Sequence, residues 1–266
     1  MPELLEVEYY RRLAQNCVGR SILAVHAPDP WYLGGGISPA LLTETLIGRG
    51  VRAARRHGKL LLLDLSPVAG AVAGAVLGLR FGMTGRLEVD GVAAIERLEY
   101  STGRVNPVWE RFGLGFADGG VLVVVDPRRL GRVSLDPDQS ALGPEATELG
   151  LAGLRRVLAG SMAPIKARLL DQAKLAGLGN LLVDEILWRA RLEPTRPAGG
   201  LADVEQRRLH RVLRATLVEL DRRGGSHTGE LYVARVRGAN CPRCGHPLVR
   251  AQVGGRTTFW CPHEQH

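Results

Sequence analysis

The 266-residue sequence predicts an α+β chain: a mainly β N-terminal domain, a helical domain after it, and a small cysteine-bearing hairpin at the end. Three observations predict this order. Short apolar runs broken by glycine and proline fill the first half of the chain, as in sandwiches and barrels. From about Asp138 the apolar residues recur at helical spacing instead. From Asn240 onward, three of the four cysteines crowd together. The boundaries read as 1–137, 138–235 and 236–266.

Residues 3–17 place Leu4, Val7, Tyr10, Leu13 and Ala14 near one helical face. Strand-like segments follow at 21–26, 51–54, 60–65, 75–81, 86–90, 113–117 and 121–126. The apolar run 60–79 is long enough to suggest a membrane span, but Asp64, Ser66, Pro67 and several glycines interrupt it. It reads as two buried strands joined by the turn Ser66-Pro-Val-Ala-Gly. Helices are expected at 149–158, 164–170, 181–190 and 203–223. The opening MPELLEVEYYRR is acidic at its start, unlike a secretory or transit leader. A cytoplasmic chain with no membrane partner is expected.

The charge balance points to a partner. Thirty-five basic residues stand against 27 acidic ones, for a net charge of +8 and a pI near 9.8. That favours a polyanion, with nucleic acid ahead of an anionic membrane surface. Only three of the 35 are lysines, Lys59, Lys166 and Lys174; the rest are arginines. Arginine is a permanent cation, whereas a lysine amine can lose its proton, so the three lysines are flagged as positions where an amine is needed.

Cys241-Pro-Arg-Cys244, then sixteen residues, then Cys261 gives C-x2-C-x16-C, the spacing of a zinc knuckle with one more thiolate. Where a zinc ribbon would carry its fourth cysteine this chain has Glu264, leaving His266 or His263 to complete one structural zinc. Gly254-Gly255-Arg256 reads as a hairpin turn with an arginine at its tip. Cys17, alone in the first helix, reads as a small core residue.

Upstream, Lys174-Leu-Ala-Gly177-Leu-Gly179-Asn180 leads into a helix. The glycines permit close backbone approach, Asn180 is placed as an N-cap, and the free amides of the helix start would make an anion site with Lys174 just before it. At the N-terminus, methionine before proline is readily removed, exposing the amine of Pro2. An α-amino group titrates near about 7.7–8.0 against about 10.4 for lysine, so much more of it is nucleophilic at neutral pH. As a secondary amine, proline condenses with a sugar aldehyde carbon to a permanently charged iminium, an electron sink for β-elimination. Glu3 beside it is a candidate general acid, provided burial raises its pKa.

Taken in order, Pro2-Glu3-Leu-Leu-Glu6-Val-Glu8, Arg55-Arg-His-Gly-Lys59, Asp126-Pro-Arg128-Arg129, the 172–185 segment and the cysteine hairpin with Arg256 resemble the formamidopyrimidine-DNA glycosylase/endonuclease VIII family across nearly the whole chain. The resemblance implies an N-terminal β-sandwich, a helix–two-turn–helix domain and a zinc-finger hairpin. It implies a monomeric enzyme acting on damaged double-stranded DNA, with Pro2 as Schiff-base nucleophile, Glu3 as acid and Lys59 on the phosphate assisting elimination. Asn180 and Arg256 would hold phosphates around an everted nucleotide, with Lys174 nearby. Met83, Arg128 and Leu130 would enter the duplex and fill the space the base leaves.

The departures concern the lesion rather than the chemistry. Leu5 replaces a second proline, Leu130 a phenylalanine wedge, and Glu264 the fourth cysteine. The segment 224–240 is much shorter than the loop that covers the base in 8-oxoguanine-specific members, so 8-oxoguanine is not expected as the main lesion. Two other readings are a non-catalytic damaged-DNA binder that keeps the fold and a zinc protein that binds nucleic acid without recognising lesions. Pro2, Glu3 and Lys59 together favour the enzyme, because a binder needs none of the three.

Overall fold

The computed structural model describes residues 2–67, 74–95 and 106–266 and divides into two compact units. The first takes in Pro2 and Glu6–Gln139; the second takes in Glu3–Leu5 and Ser140–His266. The expected turn at 66–70 lies partly outside the described residues.

Two antiparallel sheets make the first unit. Strands β1 (Ile22–His26), β5 (Arg86–Val89), β6 (Val92–Ala93), β7 (Glu110–Phe116) and β8 (Val121–Val125) form one, in the order β1-β7-β8-β5-β6. Strands β2 (Val51–His57), β3 (Leu60–Leu65), β4 (Val76–Arg80) and β9 (Arg132–Leu135) form the other, in the order β2-β3-β4-β9. Leu61, Leu63, Leu77 and Leu79 from one sheet share a core with Leu87, Phe112, Leu114, Leu122 and Val124 from the other. Alternation explains the second set: in β8 only Leu122 and Val124 are buried, two residues apart on one face. Helix α1 (Leu4–Ala14) adds Val7, Tyr10 and Ala14 to this core, and the Tyr10 hydroxyl donates to the Gly85 carbonyl at 3.1 Å. Cys17 is buried there too, and burial pushes its thiol up to about 11, as suits an inert core residue.

Several elements differ from expectation, among them β2, β9 and a second helix. β2 runs on to His57, because Arg55 has a cross-strand partner: its Nε and Nη2 donate to Asp64 at 2.5 and 2.7 Å. β9 is not among the expected strands. Helix α2 (Pro39–Leu46) starts from Ser38, whose Oγ accepts from the Leu41 amide at 3.1 Å, with Pro39 at its first position.

The end of β8 carries the polar hub of this unit. Asp126 is fully buried, and its carboxylate accepts from Thr84 Oγ1 at 2.6 Å, Leu130 N at 2.9 Å, Gly131 N at 2.8 Å, Arg128 N at 3.2 Å and the Tyr32 hydroxyl at 3.3 Å. A single carboxylate thereby shapes the loop that follows it.

In the second unit, helices α3 (Leu151–Leu158), α4 (Ile165–Leu170), α5 (Asn180–Arg189) and α6 (Asp203–Arg223) pack around a leucine-rich core, and α5 is buried from Leu181 to Trp188. A two-stranded hairpin, β10 (Val249–Val253) and β11 (Arg256–Trp260), closes the chain. Its turn, Gly254-Gly255, has φ +58° and +72°, a two-residue turn that only residues tolerant of positive φ adopt. Among the described residues no helix is long and apolar enough to cross a membrane.

Asp126→Ala should leave five donors without their acceptor and lower the stability of the first unit by about 3 kcal/mol, read as a shift of the urea midpoint. An unchanged midpoint would show that the hub is dispensable.

Candidate active site

The helix start read as a phosphate site is occupied from within the chain. Glu3 is buried, and its carboxylate accepts from the amides of Gly179 at 2.9 Å, Leu181 at 2.8 Å and Leu182 at 3.2 Å, the first free donors of α5. Leu4 N donates to the Gly177 carbonyl at 3.1 Å, so the two residues after Pro2 lie along the glycine turn. This explains the glycine spacing. A Cβ on Gly179 would lie 2.2 Å from the Glu3 carboxyl carbon, and one on Gly177 would lie 2.9 Å from Leu4 Cβ, at a φ of +106°. The cap of α5 is therefore Glu3 and not Asn180, and the amides expected to be free for phosphate are taken.

Asn180 turns elsewhere. Its Nδ2 donates to the Thr257 carbonyl in β11 at 3.0 Å, tying the start of α5 to the strand that begins with Arg256. Arg256 itself is exposed beside the hairpin turn. Beneath this contact lies a network that sequence reasoning touched only by flagging Lys166. Lys166 is fully buried, with Nζ 2.6 Å from Asp184 Oδ1, 2.7 Å from Thr258 Oγ1 and 3.3 Å from the Thr257 carbonyl. Arg235 pairs with the other Asp184 oxygen, and burial holds the Lys166 ammonium below its usual range while Asp184 opposes that shift. The remaining lysine, Lys174, is exposed in the turn before Gly177 and lines a cleft of about 540 Å³ with Arg156 and Arg168.

In the first unit, Lys59 sits in the two-residue turn between β2 and β3, where Gly58 supplies the φ of +57°. Pro2 is buried. The three residues expected to enter a duplex come from two loops that the fold joins. Met83 lies in the turn after β4; Arg128 and Leu130 lie in the loop that Asp126 shapes, and both are exposed. Thr84 reaches Asp126, and the backbones meet so closely that a Cβ on Gly82 would lie 2.4 Å from the Leu130 carbonyl carbon.

The sulfur atoms of Cys241, Cys244 and Cys261 lie within 4.8 Å of one another, an arrangement suited to one structural zinc. Trp188 Nε1 donates to Cys241 at 3.4 Å, and Trp188, Leu231, Cys241 and Cys261 share a small core. His266 is not in the group. His263 lies in a second group with Cys244 and His246, a histidine upstream of Cys261 that cysteine spacing alone does not single out.

Comparison with known proteins assigns the class. The family profile described as the formamidopyrimidine-DNA glycosylase N-terminal domain matches residues 1–133, the H2TH domain of the same family matches 141–230, and the zinc finger found in FPG and IleRS matches 240–263. The chain belongs to the formamidopyrimidine-DNA glycosylase family. Relatives of that name from Heliobacterium modesticaldum and Geobacillus kaustophilus are 34% and 35% identical, with all of both chains covered. Among solved structures, the Lactococcus lactis Fpg in complex with abasic-site DNA is similar at 27% identity and a TM-score of 0.81, again with both chains fully covered.

Gly179→Ala should cost about 2–3 kcal/mol by overpacking against Glu3, whereas Gly150→Ala, whose added methyl meets nothing within 4 Å, should be nearly silent. In a Glu3→Ala background the Gly179→Ala cost should largely vanish. Additive costs in urea unfolding would show that the two residues are not coupled.

Proposed function

We propose that this protein excises damaged bases from double-stranded DNA and then cleaves the strand, using Pro2 as its nucleophile. With Met1 removed, the Pro2 nitrogen attacks C1′ of the damaged nucleotide. The glycosidic bond breaks, its electron pair leaves with the base, and the base takes up a proton. The sugar ring opens to an iminium joining C1′ to Pro2. That cation accepts the electrons released when a C2′ proton is removed, and the 3′ carbon–oxygen bond breaks with loss of phosphate. A second elimination expels the 5′ phosphate, and hydrolysis of the iminium frees Pro2.

The observation that carries this reading is the seating of Glu3 and Leu4 on the Gly177–Gly179 turn. It fixes the backbone immediately after the nucleophile and holds a carboxylate next to it in sequence. In this role Glu3 is the general acid that gives the sugar ring oxygen its proton as the ring opens. Lys59, on its hairpin tip, faces the phosphate that leaves. Met83, Arg128 and Leu130, on joined loops, fill the gap in the duplex, and Asn180, Arg256 and Lys174 contact phosphates. Zinc stabilises the hairpin that carries Arg256 and takes no part in bond making. The similar solved structures of Lactococcus lactis Fpg hold abasic-site or formamidopyrimidine DNA, which agrees with this class of substrate.

Borohydride should trap a covalent adduct between the protein and abasic duplex DNA, and mass spectrometry should locate it on Pro2 as the N-terminal residue. An adduct on Lys59 or Lys174 would replace the mechanism, and no adduct on any lesion would favour the non-catalytic binder.

The lesion pocket is proposed to be open. Residues 224–240 are compact: Glu230 N and Leu231 N donate to the buried Glu185 at 3.1 and 2.8 Å, Thr228 donates to the Gly225 carbonyl at 2.8 Å, and Ser226 is buried. Little of this segment is left to read the edge of one base. Single-turnover excision of 8-oxoguanine opposite cytosine should therefore be slower than that of an oxidised pyrimidine in the same duplex. The reverse order would assign base recognition to groups outside this segment.

A further inference from the structure

Structural zinc is held by four donors, and the cysteines account for three. The two turns that supply them repeat one design. In Cys241-Pro-Arg-Cys244 the amides of Arg243 and Cys244 face the Cys241 sulfur; in Cys261-Pro-His263-Glu264 the amides of His263 and Glu264 face the Cys261 sulfur. By that repeat the fourth donor belongs at position 264. Glu264 is committed elsewhere, with its carboxylate 3.3 Å from Arg191 Nε and 3.4 Å from Arg243 Nη1. His266 is held by its backbone, its amide donating to the Arg191 carbonyl at 3.4 Å and its carbonyl accepting from Arg196 at 2.7 Å, and its ring joins no group of metal donors among the described residues.

Two other histidines stand at the thiolates. His246 follows Cys244 by two residues and His263 follows Cys261 by two. A ring nitrogen of each and the Cys244 sulfur lie within 4.8 Å of one another. The rings are stacked face to face, with centroids 3.9 Å apart and planes 4° apart. Around a tetrahedral zinc with bonds of about 2.3 Å to sulfur and 2.0 Å to nitrogen, a thiolate and an imidazole stand about 3.5 Å apart. The pair therefore stands beside one of the three thiolates, at a separation that side-chain rotation can shorten, and both rings are exposed.

We propose that the His246–His263 pair supplies the fourth zinc donor, giving a three-thiolate, one-imidazole site in place of four thiolates. The second ring of the pair packs against the first and holds its plane. The idea stands apart from the chemistry at Pro2, and its test does not read activity.

The test uses the full-length protein. In the zinc form, long-range 1H–15N spectra of labelled histidines should show one imidazole of the pair with the nitrogen shift of a metal-bound ring, and His266 with that of a free ring. Loaded with cobalt(II), the wild type, His266→Ala and Glu264→Gln should share one visible absorption spectrum. The double variant His246→Ala/His263→Ala should change that spectrum and lose at least about ten-fold in zinc affinity, as for loss of a ligand's support or more. A metal-bound shift at His266, or an unchanged spectrum and affinity in the double variant, would overturn the assignment. The spectra of the unaltered protein decide the matter even where the double variant does not fold.

Discussion

A helix begins with backbone donors that have no partner inside it, and in this chain the partner for α5 comes from 176 residues upstream. Much follows from that one contact between Glu3 and the amides of residues 179, 181 and 182. It requires glycine at position 179, since any Cβ there would overlap the carboxyl group. It makes residues 3–5 part of the helical unit although α1 continues into the core of the first. It also settles how that helix end is used. A helix N-terminus is a ready site for an anion, and here the anion is the protein's own. Phosphates must be met by side chains instead, which is where an arginine-rich surface has its use.

The same device recurs. Asp126 gathers the amides of the loop that bears Arg128 and Leu130. Asp184 and Glu185, neighbours on α5, hold respectively Lys166 with Arg235 and the backbone of residues 230 and 231. Among the described residues the buried charged side chains are Glu3, Glu6, Asp29, Asp126, Asp184 and Glu185, with Lys166 as the single base. Acids point inward as anchors and arginines remain at the surface. The exposed charge is thus more positive than the net +8 of the chain implies, which is the condition for attracting a polyanion.

What the sequence made legible was what local pattern encodes. Short apolar runs between glycine and proline turns located β1, β3, β5 and β8, the 203–223 helix was read end to end, and paired glycines announced the turn at 254–255. Two-residue cysteine spacing announced the metal site. What stayed hidden depends on partners far away in sequence. Arg55-Arg-His57 looks like a polar turn until Asp64 lies across from it. Asn180 has an N-cap's identity and position, and only the arrival of Glu3 turns it toward Thr257 instead. Lys166 stood out by rarity, but nothing local told that Asp184 and Thr258 would enclose it.

The hairpin bearing Arg256 shows how these constraints combine. At its turn, Gly254 lies so close to α4 that a Cβ would be 2.8 Å from that of Ala167, and the Thr257 carbonyl accepts from both Asn180 and Lys166. At its open end, Cys241 and Cys244 precede the first strand and Cys261 follows the second. Metal closes one end while a buried ammonium and an amide side chain close the other. Five-residue strands bury too little to hold together alone. An exposed arginine on such a hairpin keeps its place only because both ends are fastened, one by coordination and one by hydrogen bonds to the helix that Glu3 caps. The seating of the chain's N-terminus and the placement of its C-terminal arginine therefore depend on the same first turn of α5.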